Sequence, residues 1–136
     1  MNRLFDEPCN AESLSALNLA FVGDTVFDLL VRERLLCQAN RPVNVQHTMA
    51  ARQVKAAAQA RAAKAILPVL TEREQAVFRR GRNAHSRHKA KNATGGDYHY
   101  ATGLEALFGD LYLRGESERL RELFDRIIEK TGEEQP

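Results

Sequence analysis

Two acidic residues occur in apolar surroundings where a solvated carboxylate is not expected. Asp24 lies in the segment LNLAFVGDTVFDLL, with Ala20 one helical turn earlier. Glu105 lies in TGLEALFGDLYL, with Ala101 one turn earlier and Gly109 one turn later. Removing an isolated carboxylate from water is costly, so each acid needs a cation, a helix cap or an arginine partner. Both are therefore candidate functional residues.

The two acids have two interpretations that their spacing leaves open. The small residues beside them would let two helices pack closely enough to bring the carboxylates together. Oxygen ligands of this type suit Mg²⁺, which keeps several waters and takes one or two protein carboxylates plus substrate phosphate. In the alternative, each acid forms an internal salt bridge with an arginine such as Arg52 or Arg82.

Two further acids near this pair are weaker candidates. Asp28 lies one turn beyond Asp24 and could extend a metal site, but we favour a position in water. Asp110 is five residues past Glu105, which is about 140° around a helix, so it points elsewhere. We expect Asp110 to be solvated.

Basic residues are concentrated in the middle of the chain. Residues 34–96 contain thirteen Lys and Arg against only Glu72 and Glu74, a net charge of +11, although the whole chain carries only +2. Counterion release from phosphates rewards such a concentration, which indicates a polyanionic partner. The alternative is that these bases surround solvated helices. The candidate phosphate-binding residues are Arg79, Arg80, Arg82, Asn83, Arg87, Lys89 and Lys91.

The basic segment favours one class of nucleic acid. Aromatic residues are nearly absent from it, which argues against stacking on single-stranded bases. A duplex fits better, and duplex RNA is recognised through its shape, phosphates and 2′-hydroxyls. The sequence has neither a glycine-rich phosphate loop nor a nucleophile elbow, which argues against nucleotide hydrolysis and acyl transfer.

Length and hydrophobic periodicity predict one all-α domain over residues 1–136. Cys9 and Cys37 match no metal or redox spacing, and no apolar run resembles a signal peptide or membrane helix, so we expect a cytoplasmic protein. The first helix is apolar around most of its circumference, which predicts a central position. The predicted helices cover 13–37, 43–67, 72–82, 98–113 and 116–130, with a long loop over 81–97.

Three motifs connect the chain to a known family. The segment LNLAFVGDTVFDLL resembles the ribonuclease III signature around its invariant Gly-Asp. LEALFGDLYLRG is similar to the second acidic motif of that family. RRGRN followed by KN is similar to the Mini-ribonuclease III (Mini-III) branch, which consists of the catalytic domain without a double-stranded-RNA-binding domain. The resemblance covers about residues 14–130.

The resemblance implies an all-α, homodimeric endoribonuclease that cuts double-stranded RNA with Mg²⁺, with Mn²⁺ able to substitute. Its products would carry 5′-phosphate and 3′-hydroxyl ends, and its branch is associated with maturation of large-subunit (23S) ribosomal RNA precursors. Matching the motifs, Asp24 and Glu105 would be the catalytic, metal-binding acids. Ala20 and Thr102 stand where larger relatives have acids, as in the Mini-III branch.

The chain continues for only 31 residues after Glu105, too few for a separate RNA-binding domain. We therefore expect RNA contacts from the catalytic body, its dimer mate or a helper such as a ribosomal protein. The chief alternative is a non-catalytic duplex-RNA-binding ribosome-assembly factor whose two acids are salt-bridged. A helical protein-interaction adaptor is a third interpretation, but it leaves the basic segment unexplained.

Overall fold

Short-range capping signals set the ends of several helices. The Ser15 hydroxyl accepts a hydrogen bond from the Asn18 N–H at 3.1 Å, which starts the first helix. The sequence Thr71-Glu72-Arg73-Glu74 fits a capping box, and Thr71 and Glu74 form it reciprocally, with bonds of 3.1 and 2.9 Å. Gly115, with φ of 76°, turns the chain between the last two helices.

A computed structural model describes residues 3–84 and 95–132 and confirms the all-α class, since none of these residues lies in a strand. None of the described helices is long and apolar enough to cross a membrane. Short 3-10 turns precede α1 and α4. The helices are α1 Ala16–Gln38, α2 Val43–Val54, α3 Ala56–Ile66, α4 Glu72–Asn83, α5 Gly95–Leu113 and α6 Ser117–Thr131.

The predicted continuous helix over 43–67 is wrong, because Lys55 divides it. Lys55 has extended backbone geometry, with φ of −66° and ψ of 158°. The alanine-rich sequence contains no local breaker at this point, so the division follows from tertiary packing. α2 packs on α1, whereas α3 packs on α5 and α6, and one extended residue redirects the chain between these two directions.

The central helix is α5, not α1 as predicted. α5 packs against α1, α3 and α4. Its fully buried apolar side chains are Leu104, Leu107, Phe108 and Leu111. One side of α1 instead faces outward, where Phe21 is 81% exposed and Leu29 and Leu36 are also exposed. Apolar residues occur around most of α1, but they are not buried on every side of this helix.

Two glycines let α1 and α5 cross in direct backbone contact. A Cβ added at Gly23 would overlap the backbone carbonyl of Glu105, and one added at Gly109 would overlap the carbonyl of Leu19. Backbone carbonyls cannot move aside as a flexible side chain can. The absence of a side chain at these two positions therefore fixes the separation of the helices that carry the two candidate acids.

Buried ion pairs hold α4, α5 and α6 in register. Asp110 is only 1% exposed, so the expectation that it is solvated is wrong. Its carboxylate accepts hydrogen bonds from Arg73 at 2.8 Å and Arg114 at 3.0 Å. Buried Glu74 pairs in the same way with Arg119, at 2.8 Å. The helical spacing placed Asp110 on a different side of its helix from Glu105. It could not identify Arg73, 37 residues earlier in the chain, as the partner of Asp110.

Candidate active site

The structure brings the side chains of Asp24 and Glu105 together, one from α1 and the other from α5. They share a side-chain hydrogen bond. Burial, together with the charge and hydrogen bond of Asp24, raises the pKa of Glu105 to about 8 from its ordinary value of 4.5. At neutral pH, Glu105 is therefore protonated and donates to the Asp24 carboxylate. Two acids separated by 81 positions in sequence thus share one proton.

No arginine within the described residues forms an ion pair with either acid. Within residues 3–84 and 95–132, no ion pair joins Asp24 or Glu105 to Arg52 or Arg82, the partners considered in the salt-bridge alternative. Arg82 instead donates to Asn83 at 3.3 Å. The pair therefore keeps its capacity to bind a cation.

The described part of the chain offers few other metal ligands. It contains no group of three or more His, Cys, Asp or Glu residues with a geometry that could hold a metal ion. Ala20 and Thr102 are both buried, and the Thr102 hydroxyl donates to the Tyr98 carbonyl at 3.0 Å. Asp28 is partly exposed and pairs with Arg32 at 3.1 Å. Among the described residues, the candidate site therefore consists of two carboxyls.

A third side chain, Gln59 of α3, completes the surroundings of the pair. Its amide faces Glu105 and opposes part of the rise in the pKa of that carboxyl. Sequence reasoning did not select Gln59. A signal was available, since Gln59 is the only uncharged polar residue in the α3 sequence AAAQARAAKAI.

The predicted phosphate-binding residues fall into two groups. Arg79, Arg80, Arg82 and Asn83 occupy the last turns of α4, where they are exposed or partly exposed. Arg80 also donates to the carbonyl of Leu14 at 3.1 Å. The positive end of α4 complements the helix dipole, so these arginines also stabilise the helix. The other predicted residues, Arg87, Lys89 and Lys91, lie outside the described residues.

Comparison with known proteins identifies the family. The Ribonuclease III domain family matches residues 17–116. The Mini-ribonuclease 3 of a Thermoanaerobacter species is 45% identical over 117 residues, which cover 86% of this chain and 82% of the relative. The Mini-ribonuclease 3 of Enterococcus faecalis is 43% identical over 124 residues, which cover 90% of this chain and 94% of the relative.

A solved structure agrees with the sequence comparison. The crystal structure of a Fusobacterium nucleatum protein matches with a TM-score of 0.79 and 27% identity, covering 86% of this chain and 93% of the other. The matched family region includes both acidic motifs and the α1–α5 crossing between them. The chain belongs to the ribonuclease III family, as a Mini-ribonuclease 3, and is a ribonuclease III-type endoribonuclease.

Proposed function

We propose that this endoribonuclease cuts double-stranded RNA in a Mg²⁺-dependent reaction with Asp24 and Glu105 as its catalytic acids. The observation that carries the proposal is the contact between these two carboxyls on the ribonuclease III fold, with neither paired to an arginine in the part of the chain that the structure describes. The proposed products have 5′-phosphate and 3′-hydroxyl ends. The proposed setting is the cytoplasm, where the substrate is the precursor of large-subunit ribosomal RNA and a ribosomal protein assists.

The donor set fits a hard divalent cation. Asp24 and Glu105, in contact, provide oxygen ligands and a negative charge. In the metal-free protein, a shared proton reduces that charge. Mg²⁺ prefers such oxygens and retains other positions for water and phosphate, so two protein ligands suffice. When bound, the cation lowers the pKa of the attacking water and offsets charge on the phosphoryl oxygens. Mn²⁺, with similar ligand preferences, is the proposed substitute.

The protein's own residues have three tasks in this mechanism. Asp24 and Glu105 hold the ligand oxygens at a fixed separation, because Gly23 and Gly109 set the distance between their helices. Glu105 must release its proton before its carboxylate acts as a ligand, since metal binding and protonation compete for the same oxygens. The third task is to stay open to the substrate, since Asp24 is exposed and its oxygens can be reached by a phosphate.

The basic residues at the end of α4 are proposed to bind the RNA backbone. Arg79, Arg80 and Arg82 supply charge for phosphate contacts, and the predicted residues Asn83, Arg87, Lys89 and Lys91 continue the same segment. Phosphate contacts position the duplex without reading its sequence. We propose that the catalytic domain, residues 1–136, binds the RNA backbone through these residues of its own.

The exposed apolar side of α1 is the proposed homodimer interface. Leu17, Phe21 and Leu29 recur at intervals of four and eight residues and are 39%, 81% and 52% exposed. Large contiguous apolar surface on a small protein is typical of a protein interface. Two copies related by a twofold axis would place one acid pair opposite each RNA strand, giving a staggered double-strand cut.

The testing experiment incubates the purified protein with long duplex RNA in Mg²⁺ or in EDTA. We expect cleavage only with Mg²⁺. Asp24→Asn should remove cleavage while leaving RNA affinity within about twofold, because RNA binding depends mainly on the basic residues. Asp28→Asn, one turn along the same helix, is the matched control and should cut normally. Protection of RNA in both conditions would instead indicate a non-catalytic RNA-binding factor.

A further inference from the structure

Gln59 is a buried polar residue that the proposed mechanism does not yet use. Only 2% of its surface is exposed. Its side-chain Nε2 atom makes no hydrogen bond within the part of the chain that the structure describes. Buried amide donors are normally paired, because an unpaired donor loses its bonds to water without replacement. The position of Gln59 therefore requires an explanation other than stability of this arrangement.

The surroundings of Gln59 direct its amide toward the acid pair. Alanines next to it on α3 are buried, namely Ala60, Ala62 and Ala63. Their small side chains bring α3 against α5. The longer side chain of Gln59 then reaches the carboxyl of Glu105, whose pKa it lowers against the rise caused by burial and by Asp24.

We infer that Gln59 is a positioning residue whose amide donates to the Glu105 carboxylate when the two acids hold a divalent cation. This inference rests on the proposed function. An ionised carboxylate has two oxygens that accept hydrogen bonds, and a ligating carboxylate needs a donor on the oxygen that does not face the cation. Gln59 supplies that donor from a rigid helix, so the carboxylate is oriented without recruiting water.

The chemistry of the amide explains why glutamine suits this position. A lysine or arginine here would form an ion pair with Glu105 and compete with the cation. A neutral N–H donor stabilises the carboxylate without cancelling its charge. The amide can therefore donate to the carboxylate while leaving the pair available as a ligand.

The test compares Gln59→Met with Gln53→Met in the full-length protein. Methionine keeps the length of glutamine and removes its hydrogen-bonding groups. Gln53 is a second buried glutamine, 8% exposed, that lines a cavity beside α6. Its replacement controls for loss of a buried amide elsewhere. Mn²⁺ binding to each RNA-free protein is measured by electron paramagnetic resonance, and cleavage of duplex RNA is measured over a range of Mg²⁺ concentrations.

For Gln59→Met we expect Mn²⁺ affinity to fall about 10-fold to 100-fold, as is typical when a partner of a metal ligand is removed. The half-saturating Mg²⁺ concentration should rise by a similar factor, with KM for RNA unchanged. Gln53→Met should match the wild type in both measurements. Equal Mn²⁺ affinity in wild type and Gln59→Met, or an equal loss in Gln53→Met, would overturn the inference.

A second variant covers the case in which Gln59→Met does not fold, as judged by its thermal unfolding. Gln59→Asn keeps the amide but shortens its reach, so Mn²⁺ affinity should again fall. Unchanged affinity in Gln59→Asn would contradict a positioning role. Failure of the proposed function is distinguishable from failure of this inference. If only the proposed function fails, the wild type binds Mn²⁺ but leaves duplex RNA uncut at every Mg²⁺ concentration.

Discussion

The shared proton between Asp24 and Glu105 predicts that the metal-free protein loses stability as pH rises. The pKa of Glu105 is about 8 in the folded protein and 4.5 in the absence of its surroundings. Below pH 4.5 this residue is protonated in both the folded and unfolded states, so it contributes nothing to the pH dependence of the free energy of unfolding. Between these two values the folded state binds more protons than the unfolded state, so the free energy of unfolding falls with pH.

The size of this effect follows from the two pKa values. Each tenfold change in proton affinity corresponds to about 1.4 kcal/mol, so the interval from 4.5 to about 8 corresponds to about 5 kcal/mol. The loss is complete above pH 8. It is a large part of the about 5–15 kcal/mol by which proteins are typically stable. A bound divalent cation should reverse it, because ligands that bind only the folded state stabilise that state.

The assay is urea unfolding in EDTA between pH 5 and 9 for the wild type and three variants. Glu105→Gln removes the titrating group, so its stability relative to the wild type should rise by several kcal/mol across this range. Asp24→Asn should show a smaller rise, because burial, the largest cause of the raised pKa, remains. Asp28→Asn should follow the wild type. If the difference between Glu105→Gln and the wild type does not change with pH, the assigned proton is absent.

Three further predictions test the fold and the interface. Gly109→Ala should lower the free energy of unfolding by about 3 kcal/mol, since its methyl group has no space at the helix crossing. Gly96→Ala is the control: its methyl group meets open space, so this variant should be more stable than the wild type by up to about 1 kcal/mol. Arg119→Met should cost about 3 kcal/mol at pH 7 by leaving buried Glu74 unpaired. Burial alone would raise the pKa of Glu74, but Arg119 holds it below its ordinary value, so the cost should shrink as the pH falls and the carboxyl becomes protonated. A loss independent of pH would contradict this. Phe21→Asp should convert the proposed dimer to a monomer in analytical ultracentrifugation, and a dimer that is unchanged by this substitution would exclude the α1 surface as its interface.

The sequence predicted the local features of the fold well, because they depend on neighbouring residues. The Thr71–Glu74 capping box and the helical periodicity were readable directly. The division at Lys55 was not, since alanine-rich sequence favours an uninterrupted helix and only packing of α2 and α3 on different partners requires the break. The central position of α5 was also missed, because an apolar pattern alone does not tell whether a helix face is buried or, as on α1, exposed.

At the candidate site, the sequence by itself selected two acids within apolar, small-residue segments, because that pattern is local to each helix. The structure buries most of Glu105 but exposes Asp24, so the expectation of a desolvated Asp24 is wrong. Only the tertiary structure decided that Asp24 and Glu105 meet, since their contact depends on a helix crossing fixed by two glycines. It likewise decided that Asp110, an acid of the same motif, is paired with arginines and buried. The physical reason is that the charge state of a carboxyl depends on its neighbours in space, and these come from distant parts of the chain.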